Sequence, residues 1–282
     1  MTISKILFAV DLGPNSRAAI PAVARLAHDT GSEVVLLYVR DAASRKPFGR
    51  TLERIAAGLG EAGVRAVIEV RTAPAAEVAS RILAAAKADH ADLIALGSRG
   101  LSDLRGIFAG SVSHSVIAHS DCPVLVVRRG TRRAGGPIER ILLAVAGGQE
   151  VPHTVELTSR LARSTGARVL VLHAQYMLAA NDRPPTLGTV EEPDQTVRKI
   201  LRRLSRAGIK AEAYEPLAVG GVARAIVHEA RTWNADLVVI GSRRLSDFAS
   251  LFLGGIDHQV MQLSDRPVVV AERPDPLVPA HR

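Results

Sequence analysis

Leu93-Ile94-Ala95-Leu96-Gly97-Ser98-Arg99 decides the reading of this chain, because the segment occurs twice: it returns as Leu237-Val238-Val239-Ile240-Gly241-Ser242-Arg243. A short apolar run that ends in glycine and serine reads as a buried strand stopping at a loop where backbone comes close to a neighbour. Working outward, Lys5-Ile6-Leu7-Phe8-Ala9-Val10 recurs as Arg140-Ile141-Leu142-Leu143-Ala144-Val145. Further on, Asp121-Cys122-Pro123-Val124-Leu125-Val126 recurs as Asp265-Arg266-Pro267-Val268-Val269-Val270. The three pairs keep their order at offsets of 135 to 144 residues, which is the mark of a duplicated domain.

In the first copy a buried strand over Ile6 to Val10 leads through a loop into an amphipathic helix, with Ala19, Val23, Leu26 and Ala27 at helical spacing and Gly31 as its C-cap. A strand over Val34 to Val39 follows, then a helix around Leu52 to Leu59 closed by Gly63. A third strand over Val64 to Val70 precedes a helix that starts after Pro74 and runs to about His90. Leu93 to Leu96 is the fourth strand, and Pro123 to Val127 the fifth after a loop and helix. Strands alternating with helices predict an α/β fold, with a parallel sheet covered on both faces in each copy. The expected organisation is a first domain over 1–130, a linker over 131–137, a second domain over 138–273 and a disordered tail over 274–282. Gly130, Gly135, Gly136 and Pro137 punctuate the linker, and its arginines read as solvated. The second copy carries a longer loop, Gln175 to Gly188, where the first has Asp41 to Pro47.

Aromatic residues make up 3% of the 282 residues, so Val, Ile, Leu and Ala must fill the core. That scarcity also argues against base stacking and hence against DNA binding. The net charge of +8 divides unevenly. Residues 1–134 hold 18 basic and 12 acidic side chains, and the remainder 18 and 16, giving +6 and +2. Most of this excess reads as a solvated surface, although a basic first half also suits an anionic small molecule. Cys122 is the one cysteine, which excludes an internal disulfide framework. No apolar run approaches the length of a membrane span and no signal-peptide pattern opens the chain, so the expected location is cytoplasmic, with no membrane partner.

In open parallel sheets ligands bind beyond the carboxyl ends of the strands, where the connections reverse direction. Two loops of the first copy belong there: Asp11-Leu12-Gly13-Pro14-Asn15-Ser16, and the loop opening at Gly97 that contains Gly100, Gly110, Ser111, Val112 and Ser113. Gly97 and Gly100 let backbone approach a ligand where a Cβ would collide. Gly110-Ser111 opens a helix whose free N–H groups favour an anion, with the Ser111 and Ser113 hydroxyls as added donors. Asp11 is an acceptor for ribose hydroxyls or for a metal ion on phosphates. Glycines and serines taken singly are ordinary turn and cap residues; four matched positions at two strand ends point to binding.

These residues resemble the universal stress protein family, whose ATP-binding signature G-x2-G-x9-G-[ST] is met by Gly97, Gly100, Gly110 and Ser111. The resemblance covers both halves almost end to end. It implies two tandem Rossmann-like domains of the adenine-nucleotide α-hydrolase type, each with a five-stranded parallel sheet, paired through their last strands. It also implies ATP with Mg²⁺ at the sheet edge and a role in stress responses. Val39 matches the residue closing strand two, whose backbone meets the adenine. The candidate nucleotide-binding set is Asp11, Gly13, Val39, Gly97, Arg99, Gly100, Gly110, Ser111, Val112 and Ser113. The second copy departs from the pattern, with Arg244 for Gly100, Gly255 for Ser111 and Ala146 for Asp11, and only Gly241 and Gly254 kept. One nucleotide site per chain is therefore expected.

Other chemistry finds little support. No Walker A sequence and no G-x-S-x-G elbow occurs, and His228-Glu229 lacks a second histidine at Thr232. His114 reads as structural, Cys122 as packing, and no catalytic residue and no resident metal site is assigned. The expected function is a nucleotide-binding regulator with an unidentified protein partner. An intramolecular pseudo-dimer of the two domains is expected, and whether two chains also associate as a homodimer stays open. Three alternatives stay open: a slow ATP hydrolase or transferase, a nucleotide-independent scaffold, and cyclic AMP as ligand.

Overall fold

Runs of buried aliphatic residues bounded by glycine turns fold as strands here, and the amphipathic segments between them fold as helices. The computed structural model describes residues 3–43, 47–98, 112–145, 151–174, 195–216, 218, 220–241 and 255–271. The first half supplies β1 (Lys5–Val10), β2 (Glu33–Asp41), β3 (Ala66–Ala73), β4 (Leu93–Ser98) and β5 (Val124–Arg128). Its helices are α1 (Pro14–Thr30), α2 (Gly49–Glu61), α3 (Val78–Ala88) and α4 (Val112–His119). The second half repeats the series with β6 (Arg140–Val145), β7 (Arg168–His173), β8 (Ala211–Tyr214), β9 (Leu237–Gly241) and β10 (Val268–Ala271). Its helices are α5 (Val151–Thr165), α6 (Gln195–Arg206), α7 (Val222–Thr232) and α8 (Ile256–Leu263).

The ten strands among the described residues join one sheet in the order β3-β2-β1-β4-β5-β10-β9-β6-β7-β8. Pairing is parallel within each half, and the two last strands meet antiparallel, with Leu125 opposite Val269. The expected α/β fold and the pairing through last strands are therefore both present, inside a single chain. On one face a continuous apolar core runs from Phe8 and Leu36 through Leu125 to Leu143 and Val171. On the other face each half packs its own core, around Leu37 and Ile94 in the first and Leu172 and Val238 in the second.

Helix α1 shows how local sequence sets an element. Gly13 caps it, Pro14 stands at its start, and Ala19, Ala22, Val23, Leu26 and Ala27 form its buried stripe. Gly31 ends it with φ 67°, the left-handed conformation that a side chain disfavours. The third strand begins two residues later than the sequence suggests. Gly63 turns with φ 75°, and the Val64 N–H bonds back to the Leu59 carbonyl at 2.9 Å. Buried Val64 thus closes α2 as the apolar residue of a Schellman cap rather than opening β3. The helix after Pro74 starts as a 3₁₀ turn over Ala75–Glu77 before α3.

The segment between the halves keeps Arg132 and Arg133 exposed, as expected, but it is also docked on both halves. Arg133 Nε lies 2.8 Å from Asp236 Oδ1, and Asp236 is 2% exposed. The Arg132 N–H bonds to the Asp265 carbonyl at 2.8 Å, and a Cβ on Gly135 would come within 3.0 Å of the Pro21 side chain. A charged, glycine-rich segment reads as linker in sequence, but here buried Asp236 draws it into the seam. The tail over 274–282 and the long loop Gln175 to Gly188 lie outside the described residues.

Candidate nucleotide site at the carboxyl edge of the first half

The connection from β1 goes to β2 on one side, whereas β4 lies on the other side of β1, so the chain reverses direction between β1 and β4. Ala9 faces Leu96 in the parallel ladder. The residues that follow, Val10-Asp11 and Gly97-Ser98, therefore leave the sheet side by side. This is the crevice in which open α/β sheets bind ligands.

The turn after β1 is tightly specified. Asp11 Oδ1 accepts the Gly13 N–H at 2.8 Å and also a bond from the Ser16 hydroxyl. Ser16 Oγ in turn accepts the Asp11 N–H at 2.9 Å. Between them Leu12 adopts φ 60°, a left-handed conformation that costs a branched side chain about 1 kcal/mol or more. The Asp11–Ser16 brace holds that strain. Both carboxylate bonds fall on Oδ1, and Asp11 is exposed. Its second oxygen is thus uncommitted among the described residues.

Gly97 has a structural reason to be glycine. A Cβ there would sit 2.6 Å from the Ser16 nitrogen and closer still to the Asn15 carbonyl. The missing side chain lets the start of α1 press onto the end of β4, so Gly97 shapes the crevice by close backbone packing. This contact gives Gly97 a packing reason to be glycine in addition to the expected approach of a ligand. Gly13 lies against the Asp11 carboxylate, where a Cβ would come 3.1 Å from Oδ1. Val39 is half-buried near the end of β2 and packs on the core beneath α3. Val112 and Ser113 form the first turn of α4, with Val112 exposed and Ser113 half-buried. Arg99, Gly100, Gly110 and Ser111 lie outside the described residues.

Three features of this edge carry no clear signal in the sequence. Ser16 lies in the first turn of α1, and its brace on Asp11 follows only from the tightness of the turn. Leu12 gives no sign, since leucine rarely adopts positive φ. Arg40 follows Val39, and its Nε is buried without a hydrogen-bond partner among the described residues. A buried guanidinium nitrogen at this edge is a ready donor for an anionic ligand.

The second half is built differently at the matching places. Gly255 caps α8, and a Cβ on it would come 2.5 Å from Asp257 Oδ1. Asp257 occupies the position of Ser113, so the second half sets its own carboxylate at the helix start where the first half leaves a hydroxyl. That repels phosphate. At the end of β7, His173 Nδ1 lies 3.4 Å from Glu215 Oε2. The two helices also touch across the seam, where His114 of α4 meets His258 of α8 edge to face. His119 bonds back to the Ser115 carbonyl at 2.9 Å, and Cys122 packs on the core beneath α3, both as structural residues.

Among the described residues no group of three His, Cys, Asp or Glu side chains is placed to hold a metal ion. A single uncommitted carboxylate oxygen, as on Asp11, suits a magnesium ion that arrives with phosphates and keeps most of its other ligands. No helix among the described residues is long and apolar enough to cross a membrane.

Comparison with known proteins follows the same division. The profile of the universal stress protein family matches twice, over residues 2–128 and 137–272. A universal stress protein of Mycobacterium tuberculosis is 29% identical over 199 residues, covering 67% of this chain; the chain spans 61% of that relative's length. A universal stress protein of Mycolicibacterium smegmatis is 26% identical over 292 residues, covering 94% of this chain and 96% of its own. Among solved structures, a universal stress protein of Archaeoglobus fulgidus superposes with a TM-score of 0.77 at 20% identity, covering 97% of this chain and all of its own. That likeness is one of fold.

Proposed function

The chain belongs to the universal stress protein family, and from that membership we propose that its first half binds an adenine nucleotide, ATP with Mg²⁺, as a regulatory ligand. The observation that carries this reading is the convergence of the braced Asp11–Ser16 turn and the Gly97 strand end at the point where the chain reverses direction. The phosphates lie along the loop from Gly97 to Ser111 and against the start of α4, where free N–H groups and the Ser113 hydroxyl donate. Asp11 supplies the protein's carboxylate to the cation, which neutralises phosphate charge. Arg40 adds a positive charge at the same edge, and the backbone of Val39 faces the base.

The regulatory step runs through α4. The helix starts directly after the phosphate loop and carries His114, which rests on His258 of α8. A ligand that draws the start of α4 toward the crevice therefore shifts a contact shared by both halves. The second half binds no nucleotide, because Asp257 brings negative charge to its helix start, Arg244 replaces Gly100 and Ala146 replaces Asp11.

Equilibrium dialysis of ATP against the full chain, with cyclic AMP as competitor and product analysis of the retained nucleotide, tests the binding. Retention of unhydrolysed ATP in preference to cyclic AMP is expected. No retention at millimolar ATP contradicts the proposal and favours a nucleotide-independent scaffold; rapid conversion to ADP favours the hydrolase. Limited proteolysis of the segment from Ser98 to Ala109 tests the switch, and equal cleavage with and without ATP contradicts it.

A further inference from the structure

Among the described residues the sheet ends at β3, which pairs there with β2 alone. All eight residues from Ala66 to Ala73 are in register with β2, so the strand offers a long outer edge. The opposite edge, β8, is four residues long. Exposed large apolar side chains among the described residues concentrate on β3: Val67 is 41% exposed, Ile68 39% and Val70 43%. An open edge of this length and composition invites another strand, and proteins that keep such an edge free blunt it with proline, bulges or charged side chains. Among its eight residues β3 has no proline, bulge or lysine, and its two charges, Glu69 and Arg71, neutralise each other.

We propose that β3 pairs antiparallel with β3 of a second copy about a two-fold axis through Val70, continuing the sheet from one chain into the next. The register follows from backbone direction and charge. The Val34 N–H bonds to the Arg65 carbonyl, so the odd-numbered residues of β3 turn their backbone groups toward β2. By alternation Ala66, Ile68, Val70 and Thr72 turn theirs to the open edge. A symmetric antiparallel pair must then be centred on a single residue. Centring on Glu69 sets Glu69 against Glu69 of the second copy, and centring on Arg71 sets arginine against arginine. Centring on Val70 places Val70 against its own copy in a hydrogen-bonded pair and sets Glu69 directly opposite Arg71 of the second copy, twice. Glu69 and Arg71 already form an ion pair within one strand, and the dimer turns two such pairs into a closed quartet on one face. On the other face the two Val70 side chains meet, and each Ile68 lies opposite Thr72 of the second copy. Edge-to-edge antiparallel joining is the mode by which β5 and β10 already unite the two halves, and the isologous geometry closes at two copies.

Sedimentation of the full chain over a concentration series tests this, with Glu69→Arg, Arg71→Glu, the double exchange, and Val70→Lys. The wild type is expected to sediment at twice its monomer mass of 29.9 kDa. Each single charge change opposes like charges twice and is expected to weaken the dimer about tenfold or more. The double exchange restores it, and Val70→Lys abolishes it. Thermal melts of each variant establish that the fold is kept. A wild type that stays monomeric at its highest soluble concentration overturns the proposal. A dimer indifferent to Val70→Lys overturns the edge as its site, and failure of the double exchange to restore association overturns the register.

Discussion

His114 and His258 stand at the third position of α4 and of α8, matching places in the two halves, and their rings meet at 5.7 Å with planes at 87°. Burial lowers the pKa of His258 below its ordinary 6.5, and the charge of His114 lowers it further, while Asp257 opposes both. Protonation therefore works against the seam that joins the halves.

This gives a pH dependence with a definite sign. In the window just below pH 6.5 the unfolded chain binds a proton at residue 258 that the folded chain resists, so stability falls as pH drops through that range. Urea midpoints measured from about pH 7.5 down to about pH 5 should decline, and His258→Gln should flatten the decline. An unchanged slope in the variant would assign the effect to other groups.

Asp92 and Asp236 occupy matching positions before β4 and β9, and each ties down the strand that opens its half. Asp92 accepts bonds from Ser4 and Lys5 and lies 3.7 Å from Arg160 of the second half. Asp236 Oδ2 accepts the Glu139 and Arg140 N–H groups at 3.0 Å while Oδ1 meets Arg133. The Asp92 side chain is 24% exposed and that of Asp236 2%. Asp236→Ala is therefore expected to cost about 1–3 kcal/mol, because the Glu139 and Arg140 N–H groups lose a buried acceptor, while Arg133, 39% exposed, turns to water. Asp92→Ala should cost clearly less. Denaturant titration checks the order, and equal losses would contradict it.

Gly97→Ala should be more harmful than a glycine-to-alanine change in a strand normally is. The new methyl meets the Asn15 and Ser16 backbone rather than a movable side chain. A loss of about 1–3 kcal/mol is expected, with weaker nucleotide binding because the Asp11 turn is displaced. A thermal melt and a nucleotide titration on the variant read both. Wild-type stability with lost binding would mean that Gly97 meets the ligand directly.

Much of this architecture is legible in the sequence because it lies in periodicity. The repeat at Leu93 and Leu237 marks the two halves, and buried aliphatic runs mark the strands. Val64 misleads, because an apolar residue after a glycine looks the same as a helix cap or as a strand start. The Arg133–Asp236 pair is invisible, since residues 103 apart in sequence carry no local sign of contact. At the site, the glycine spacing points to the carboxyl edge of β4, beside β1, where the chain reverses direction. The identity of what approaches Gly97, the strain at Leu12 and the carboxylate of Asp257 at the second helix start all depend on tertiary packing.

The most direct test of the central claim is calorimetric titration of the full chain with ATP and Mg²⁺, beside a Gly110→Asp variant and an Asp257→Ser variant. One site per chain is expected in the wild type, none in Gly110→Asp, and one still in Asp257→Ser, because Arg244 adds bulk where the first half has Gly100 and Ala146 lacks the carboxylate of Asp11. Two sites in the wild type, or a site that survives Gly110→Asp, would contradict the assignment of nucleotide binding to the first half.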